Sequence, residues 1–480
     1  MWSLLIVAAI AAPPAETPGE IHLAAFVDLS RLPVADHPYT RYLSLHAVPP
    51  AGRTAYFSAI TFALNSVSWR STLYVPVRIG PALIRLNLEG MGWDVESRSS
   101  RIERLRLQGI DVANFRADCW EEFARLDPYF FTSSVDSYGA SFRGWTDPAA
   151  DYALRLATGA SKAVVRADWL LSKLLIDDVA GNKGGLYSQA LLLPATENDL
   201  FKVFGIDLKF VESDPQLKSG GAVLESIVAL HNRELQLFPS LYGHDERFIW
   251  RSLDVNDDKA GDKSVIDSLI GTLKRDGSEY IGTLPNGLHW YWVGNAVGKQ
   301  VAVVPQGVAI DQRQTPERIK DRSVINAYKC MSCHGQTSGI FPFTDVIGPA
   351  ILSPAIALAS KRKDGKQAVE DYYLGGLADK LSRQNESYVA RVKACNGLAS
   401  GDNSSAVVER IESYLYDVVT PEQAARDMGR ELDAARILWR SSGSNQNLFL
   451  SAGQSIKRGA WERSYRDAQQ ADHYPWDTVK

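Results

Sequence analysis

The chain has 480 residues, of which 45% are hydrophobic and 22% are charged, a composition typical of folded globular proteins. Its length predicts two or three domains, and its formal net charge of -4 gives no electrostatic reason to expect nucleic acid as a partner. No apolar run reaches the ~18 residues that a membrane-spanning helix needs, so the sequence predicts no membrane span.

The N-terminus begins with a short apolar stretch, WSLLIVAAIAA (Trp2–Ala12), which two prolines and small residues follow. An apolar stretch of this length before small residues is typical of a secretory signal peptide. The residues before it include no Lys or Arg, so a buried first strand or helix is the alternative. We predict a signal peptide over residues 1–15 and therefore a periplasmic or secreted protein.

Residues 16–310 carry patterns typical of both helices and strands, and we predict a mixed α/β N-terminal region with one or two subdomains. Apolar residues at helical spacing predict a helix over Arg53–Asn65. A second amphipathic helix is predicted over Ser161–Leu175, where a serine provides the start signal and glycines follow the end.

Strands are predicted where β-branched residues lie between turn residues. Two such runs, Ser71–Ile79 and Leu83–Leu88, flank a Gly-Pro turn. Three more lie within Glu279–Pro305, separated by segments rich in Gly and Asn. The sequence therefore predicts a short three-stranded β-meander at the end of the N-terminal region.

Residues 311–480 are poor in strand-forming residues, and we predict that they form a mainly helical domain. One helix is predicted over Arg322–Lys329. Another has a strong start signal, because Thr420 as N-cap, Pro421 at the first position and Gln423 at the third form a capping box. The predicted fold class is therefore α+β, with a large mixed N-terminal region followed by a mainly α-helical domain.

The helical region opens with the sequence VINAYKCMSCHG, in which Cys330, Cys333 and His334 form the pattern C-x-x-C-H. This pattern is the attachment signature of c-type haem. Two thiols three residues apart lie on one helical turn, where each can form a thioether with a vinyl group of the porphyrin. The next residue, His334, is then held close to the iron as its proximal ligand. We predict one covalently attached haem c at these three residues.

Two other kinds of site contain a C-x-x-C pair. A dithiol redox site lies at the start of a helix that follows a strand, whereas the helix predicted over Arg322–Lys329 precedes this pair. A structural zinc site needs about four ligands, and the sequence offers no second pair of cysteines at matching spacing. The sequence therefore favours haem over a dithiol or a zinc ion.

The remaining cysteines are Cys119 and Cys395. Covalent haem is attached outside the cytoplasm, where these two thiols could form a disulfide that closes a loop of about 275 residues. They could equally be two buried thiols that pack as small hydrophobic side chains. The sequence leaves both alternatives open.

The distal iron ligand is approached by elimination among the four methionines. Met1 leaves with a signal peptide and Met331 lies inside the attachment loop, which leaves Met91 and Met428. Met428 follows the motif along the chain and is the predicted distal ligand, but it shares a helix face with apolar residues, a position more typical of core packing. A distal histidine and an open coordination site are the alternatives. The histidines available are His22, His37, His46, His231, His244, His289 and His473.

Several stretches between Leu64 and Gly429 resemble large bacterial exported proteins of the cytochrome c family that carry one haem motif late in the chain. These stretches are LNSVSW, IRLNLEGMGWD, VVRADWLLSKLL, HNRELQLFPSLYG, TLPNGLHWYWV, INAYKCMSCHG and VTPEQAARDMG. The resemblance implies a secreted or periplasmic electron carrier with a cytochrome c-like haem domain. It also implies Cys330 and Cys333 as attachment residues and His334 as the axial ligand.

Two positions depart from the family pattern, which usually has Leu in place of Met428 and Gln in place of His289. The departures favour core packing for Met428 and give His289 no family support as a ligand. We expect a haem protein that passes single electrons between redox partner proteins. The alternatives are a haem enzyme or gas sensor with an open distal site, and an interaction protein in which the haem is structural.

Overall fold

The computed structural model describes residues 18–129, 148–176, 186–206, 219–223, 233–239, 248–254, 275–305, 309–311, 322–334, 377–398 and 406–471. The predicted signal peptide, residues 1–15, lies outside these ranges. The described residues form a mixture of helices and sheets, which confirms the α+β character of the predicted fold. Within these ranges, no helix combines the length and the apolar character needed to cross a bilayer.

Helices and strands are numbered in chain order. The helices before the C-x-x-C-H motif are α1 (Pro18–Leu29), α2 (Arg53–Asn65), α3 (Leu88–Met91), α4 (Val95–Leu107), α5 (Cys119–Leu126), α6 (Pro148–Thr158), α7 (Ala167–Leu174), α8 (Tyr187–Leu191) and α9 (Glu197–Val203). Those from the motif onward are α10 (Tyr328–His334), α11 (Leu377–Leu398), α12 (Ala406–Tyr416), α13 (Pro421–Asp427), α14 (Leu432–Ser441), α15 (Asn445–Ser451) and α16 (Arg458–Ala471). The strands are β1 (Thr40–Ser44), β2 (Val77–Arg78), β3 (Leu83–Asn87), β4 (Val164–Arg166), β5 (Ser219–Val223), β6 (Arg233–Pro239), β7 (Phe248–Asp254), β8 (Gly277–Thr283), β9 (His289–Asn295), β10 (Val418–Val419) and β11 (Ile456–Lys457).

A four-stranded sheet with the order β2-β3-β1-β4 lies in the N-terminal region. The predicted helix Arg53–Asn65 is confirmed as α2, which is buried along most of its length. The predicted strand Leu83–Leu88 corresponds to β3, but only Val77–Arg78 of the predicted strand Ser71–Ile79 is extended in the sheet. The central strand β1 pairs antiparallel with β3 and parallel with β4.

The helix predicted over Ser161–Leu175 is wrong in its first part. Val164–Arg166 forms the buried strand β4, and the helix α7 begins only at Ala167. Tyr42 pairs with Val164 in the parallel β1–β4 ladder. The β-branched residues of this segment are therefore extended because they pair with a strand that is distant in the chain. A local sequence pattern contains no information about that partner.

A second sheet is a five-stranded antiparallel meander with the order β5-β6-β7-β8-β9. The first two strands predicted within Glu279–Pro305 are confirmed as β8 and β9. The predicted third strand forms only isolated bridges, which pair Lys299 with Thr196, Gln300 with Gly294 and Val303 with Ile325. The meander instead continues on the other side of β8, where β7 forms the pairing.

The helix predicted over Arg322–Lys329 is also wrong, because α10 begins at Tyr328. Ile325 is held in an extended segment by its bridge with Val303, and the backbone NH of Asn326 donates to the carbonyl of Ala302 at 2.8 Å. Ala327 then has a φ of 61°, in the left-handed region, so the chain turns sharply just before α10.

Most of the described residues after position 310 lie in helices, and the predicted capping box at Thr420 is present. The Thr420 hydroxyl accepts from the backbone NH of Gln423 at 3.2 Å, and the Gln423 side chain accepts from the NH of Thr420 at 2.9 Å. Helix α12 packs against α2 and α7 of the N-terminal region. One hydrophobic core therefore contains residues from Ile21 to Tyr465 and crosses the boundary predicted at residue 310.

Candidate functional site

The three residues of the motif lie on one short helix, α10 (Tyr328–His334). Cys330 is in its first turn, Cys333 follows three residues later on the same helical face, and His334 ends the helix. All three side chains are half-buried, and neither cysteine forms a disulfide. The local fold therefore places two free thiols and an imidazole next to one another, as covalent haem attachment requires.

Buried charges fix α10 against α12. Lys329 is 3% exposed, and its ammonium group lies 3.4 Å from a carboxylate oxygen of Asp311 and 3.4 Å from one of Glu412. The hydroxyl of Tyr328 donates to the same Glu412 carboxylate at 2.7 Å. A buried lysine paired with two carboxylates is costly to disturb, so the start of the motif helix is held in a defined position.

The edge of the five-stranded sheet lies close to Cys330. Burial, followed by the nearby carboxylate of Glu279 and the thiol of Cys333, raises the pKa of Cys330 well above its usual range. Tyr291, which is fully buried on β9, is close enough to Cys330 to interact with it electrostatically. Cys330 is therefore a protonated thiol at neutral pH.

This environment distinguishes the motif from a dithiol redox site. Because α10 begins at Tyr328, Cys330 does occupy the first helical turn, which is where dithiol sites have their cysteines. In those sites the thiol pKa is lowered, so that the thiolate can attack a disulfide. The raised pKa of Cys330 is the opposite condition, so Cys330 lacks the thiolate character of such a nucleophile.

His289 lies beside the end of the motif helix. Its ring stacks on that of Tyr388, with centroids 3.7 Å apart and planes inclined by 11°. Burial and the neighbouring imidazole of His334 lower the pKa of His289 to about 3, although a hydrogen bond with the backbone of His334 opposes this. His289 is therefore neutral at physiological pH, and its ring is positioned by contacts on two sides.

The sequence identifies only part of this site. His289 is one of the candidate distal ligands named from the sequence, and Tyr291 lies in the stretch TLPNGLHWYWV that follows the family pattern. Glu279 and Tyr388 were not predicted, since they come from β8 and α11 and no local pattern connects them with the motif.

Met428 is fully buried at the end of α13. Its sulfur accepts a hydrogen bond from the indole NH of Trp439 at 3.3 Å. This contact is typical of core packing, so it favours that interpretation over iron ligation. The role of Met428 as distal ligand stays a prediction.

The other two cysteines are free and buried, with Cys119 on α5 and Cys395 on α11. They form no disulfide and pack as small hydrophobic side chains, and burial raises the pKa of both thiols. Among the described residues, no group of three or more His, Cys, Asp and Glu side chains is arranged to hold a metal ion.

The side chains of the motif fit a covalently bound haem. Two free thiols on one face of α10 provide the attachment points, and His334 provides one nitrogen ligand for iron. Beside them, the Nδ1 atom of His289 is buried and makes no hydrogen bond with any residue that the structure describes. A polar group brought by a bound cofactor would give this nitrogen a partner.

No protein-family model, no curated protein and no solved structure matches the chain. The function is therefore inferred from the motif and from the side chains around it.

Proposed function

We propose that this protein binds one haem c through Cys330 and Cys333, with His334 as proximal ligand, and passes single electrons between redox partner proteins outside the cytoplasm. The observation that carries the proposal is the C-x-x-C-H motif on one helix with both thiols free. When bound, the haem supplies a one-electron iron couple that cannot be lost by dissociation.

The two cysteines attach the cofactor without an external oxidant. Each sulfur forms a bond to one carbon of a vinyl group, the carbon–carbon double bond becomes single, and the thiol hydrogen ends on the other carbon. The raised pKa of Cys330 slows oxidation to a disulfide, because only a thiolate attacks another sulfur rapidly. This environment helps to keep Cys330 reduced until attachment.

The surroundings of His334 support its role as a positioned ligand. His289 hydrogen-bonds to the backbone of His334 and is itself fixed by stacking on Tyr388. Contacts of this kind orient a metal ligand and tune the metal that it holds. We expect His289→Gln to shift the reduction potential while attachment is retained, since a glutamine keeps a hydrogen-bond donor but loses the stacked ring.

A second function is a haem enzyme or gas sensor with an open distal site. One observation favours it. The sulfur of Met428, the predicted distal ligand, already accepts a hydrogen bond from Trp439. Carbon monoxide distinguishes the two functions. A low-spin, six-coordinate ferrous form that resists carbon monoxide supports the carrier, whereas a high-spin form that binds it readily supports the enzyme or sensor.

Covalent attachment is tested by replacing both motif cysteines in the full chain, expressed in a host with haem-attachment machinery. The variant Cys330→Ala with Cys333→Ala should lose the mass increase of one haem, because no sulfur remains to form a thioether. Cys119→Ala is the matched control, since it removes a buried free thiol outside the motif and should retain haem. A double variant that still carries the added mass would exclude the proposed attachment.

A further inference from the structure

A cleft of about 700 Å³ opens beside α4, and none of the residues that line it belongs to the haem motif. Arg98, Arg101 and Arg104 line it at intervals of three residues along one side of the helix. Trp69 and Arg70 line it from the loop after α2. A cleft of this volume accommodates a small organic molecule.

Arg101 combines an aromatic contact with a buried nitrogen that has no acceptor within the described part of the chain. Its guanidinium carbon lies 3.6 Å from the centre of the Trp69 ring, so the side chain is held over an aromatic face. The Arg101 side chain is half-buried, and its buried Nε atom has no hydrogen-bond acceptor among the residues that the structure describes. Burial, followed by the charges of Arg104 and Arg98, lowers its pKa to about 9, so the group remains charged at neutral pH.

The other charges around the cleft leave its inner wall positive. The guanidinium of Arg98 is buried and donates to backbone carbonyls, among them those of Gln189 and Ala190 at 2.8 Å, and it forms no ion pair with a carboxylate among the described residues. Asp94 is a buried carboxylate in this wall, and Arg70, 3.8 Å from it but 41% exposed, compensates only part of its charge, so the charges of Arg98 and Arg101 still outweigh it.

Two further carboxylates, those of Glu89 and Glu96, line the cleft from exposed positions. Water screens exposed charges strongly. They therefore oppose the buried arginine charges only weakly.

We propose that this cleft binds a small organic anion through a carboxylate or phosphate group that pairs with Arg101. Removing part of a charged group from water without a counter-ion is costly, and a bound anion would compensate the charge of Arg101. The planar fork of a guanidinium matches carboxylate and phosphate oxygens, and stacking on Trp69 holds the fork in one orientation. The exposed Arg104 provides a second cation for a ligand with two negative groups.

The competing interpretation is that Arg101 only packs on Trp69 and takes no ligand. The two interpretations differ in what happens when the charge is removed. A residue that only packs should lose stability when replaced and should leave anion binding unchanged. A ligand-binding residue should lose affinity for anions, and its replacement should relieve the cost of an unpaired buried charge.

The test is calorimetric titration of the full chain with citrate and, separately, with inorganic phosphate. The variants are Arg101→Gln, Arg104→Gln and the control Arg106→Gln. Arg106 lies on the same helix but is exposed, pairs with Glu103 at 2.6 Å and does not line the cleft. We expect saturable binding by the wild type and by Arg106→Gln, with a loss of about tenfold or more in Arg101→Gln, as the removal of one charged hydrogen-bond pair predicts.

The choice between citrate and phosphate identifies the acidic group that the cleft prefers. Arg104→Gln is the second variant, and we expect it to weaken binding while leaving the buried part of the cleft intact. Absence of saturable binding of both anions by the wild type would overturn the proposal. Equal affinity of the wild type and Arg101→Gln would overturn it as well.

Thermal unfolding provides an independent readout. Citrate or phosphate, whichever binds, should raise the Tm of the wild type and of Arg106→Gln more than that of Arg101→Gln at the same concentration, because a ligand stabilises the folded state in proportion to its affinity for it. In buffer without either anion, Arg101→Gln should unfold at the same or a higher temperature than the wild type. A lower Tm together with unchanged anion binding would make Arg101 a packing residue and overturn the proposal.

Discussion

The motif residues are predicted from local spacing alone, and their role in haem attachment stays a prediction. Cys330, Cys333 and His334 are recognised from two successive intervals along the chain, and the structure keeps them on one helix. The side chains that surround them come from distant strands and helices, as the stacking of Tyr388 on His289 illustrates. No spacing rule connects such partners, so the environment of the motif could not be predicted from the sequence.

Met428 provides a prediction at the scale of one residue. We expect Met428→Leu to lower the free energy of unfolding by about 1–2 kcal/mol, because the side-chain volume is nearly kept while the buried indole NH of Trp439 loses its acceptor. If Met428 is a core residue, the absorption spectrum of the haem should not change. Loss of a near-infrared sulfur-to-iron band in the variant would instead make Met428 the distal ligand.

His46 provides a prediction of pH dependence. Burial, followed by the charge of Arg166, lowers its pKa from 6.5 to about 3. Between these two values the unfolded chain binds a proton that the folded chain does not, so stability is lost as the pH falls below about 6.5. Well below that pH, the loss for one histidine is about 1.4 kcal/mol per pH unit.

Between pH 6 and pH 4, we expect His46→Gln to reduce the slope of the unfolding free energy against pH by the amount that corresponds to about one bound proton. Urea unfolding at several pH values measures it, and His37→Gln on the half-buried His37 is the control. If His46→Gln retains the full slope of the wild type, His46 is not the group that binds the proton.

At the scale of elements, the structure shows which helices and strands are determined by their own sequence and which depend on distant partners. Helix α2 and the capping box of α13 were predicted correctly, because the signals lie within the segments themselves. The start of the segment Ser161–Leu175 was predicted as helix but is a strand, since its partner β1 is more than a hundred residues away in the chain. Long-range pairing overrides local propensity in such cases.

The capping box allows a matched test of element stability. We expect Thr420→Ala to lower the free energy of unfolding by about 1 kcal/mol, because the first turn of α13 loses the hydroxyl that accepts from Gln423. Ser444, the N-cap of α15, makes no side-chain capping bond and is the control. Denaturant unfolding measures both, and an equal loss in Ser444→Ala would contradict this assignment.

At the scale of the whole molecule, a buried charge network connects the two halves of the chain. Asp427 at the end of α13 lies 2.9 Å from Arg166 of β4 and 2.6 Å from Arg458 of α16. Burial raises the pKa of Asp427, but these two cations together lower it by more, so the pKa lies below its usual range. The network and the common hydrophobic core indicate that the described parts of the two predicted regions stabilise each other.

We therefore expect Asp427→Asn to lower the free energy of unfolding by about 3–5 kcal/mol, since the buried Arg458 loses its carboxylate partner and Arg166 keeps only that of Asp168. Asp433→Asn is the control, because Asp433 is 94% exposed in its ion pair with Arg436. Tryptophan fluorescence and circular dichroism should report one common unfolding transition. Two separate transitions would show that the regions on either side of residue 310 fold independently.

The central claim is the covalent attachment of haem at Cys330 and Cys333 with His334 as ligand, and the most direct measurement is the visible spectrum of the exported full chain after denaturation. If the claim is correct, the coloured cofactor stays with the polypeptide under denaturing conditions, and the reduced spectrum is that of a haem with two thioether bonds. A colourless protein in which both motif thiols still react with an alkylating reagent would contradict it.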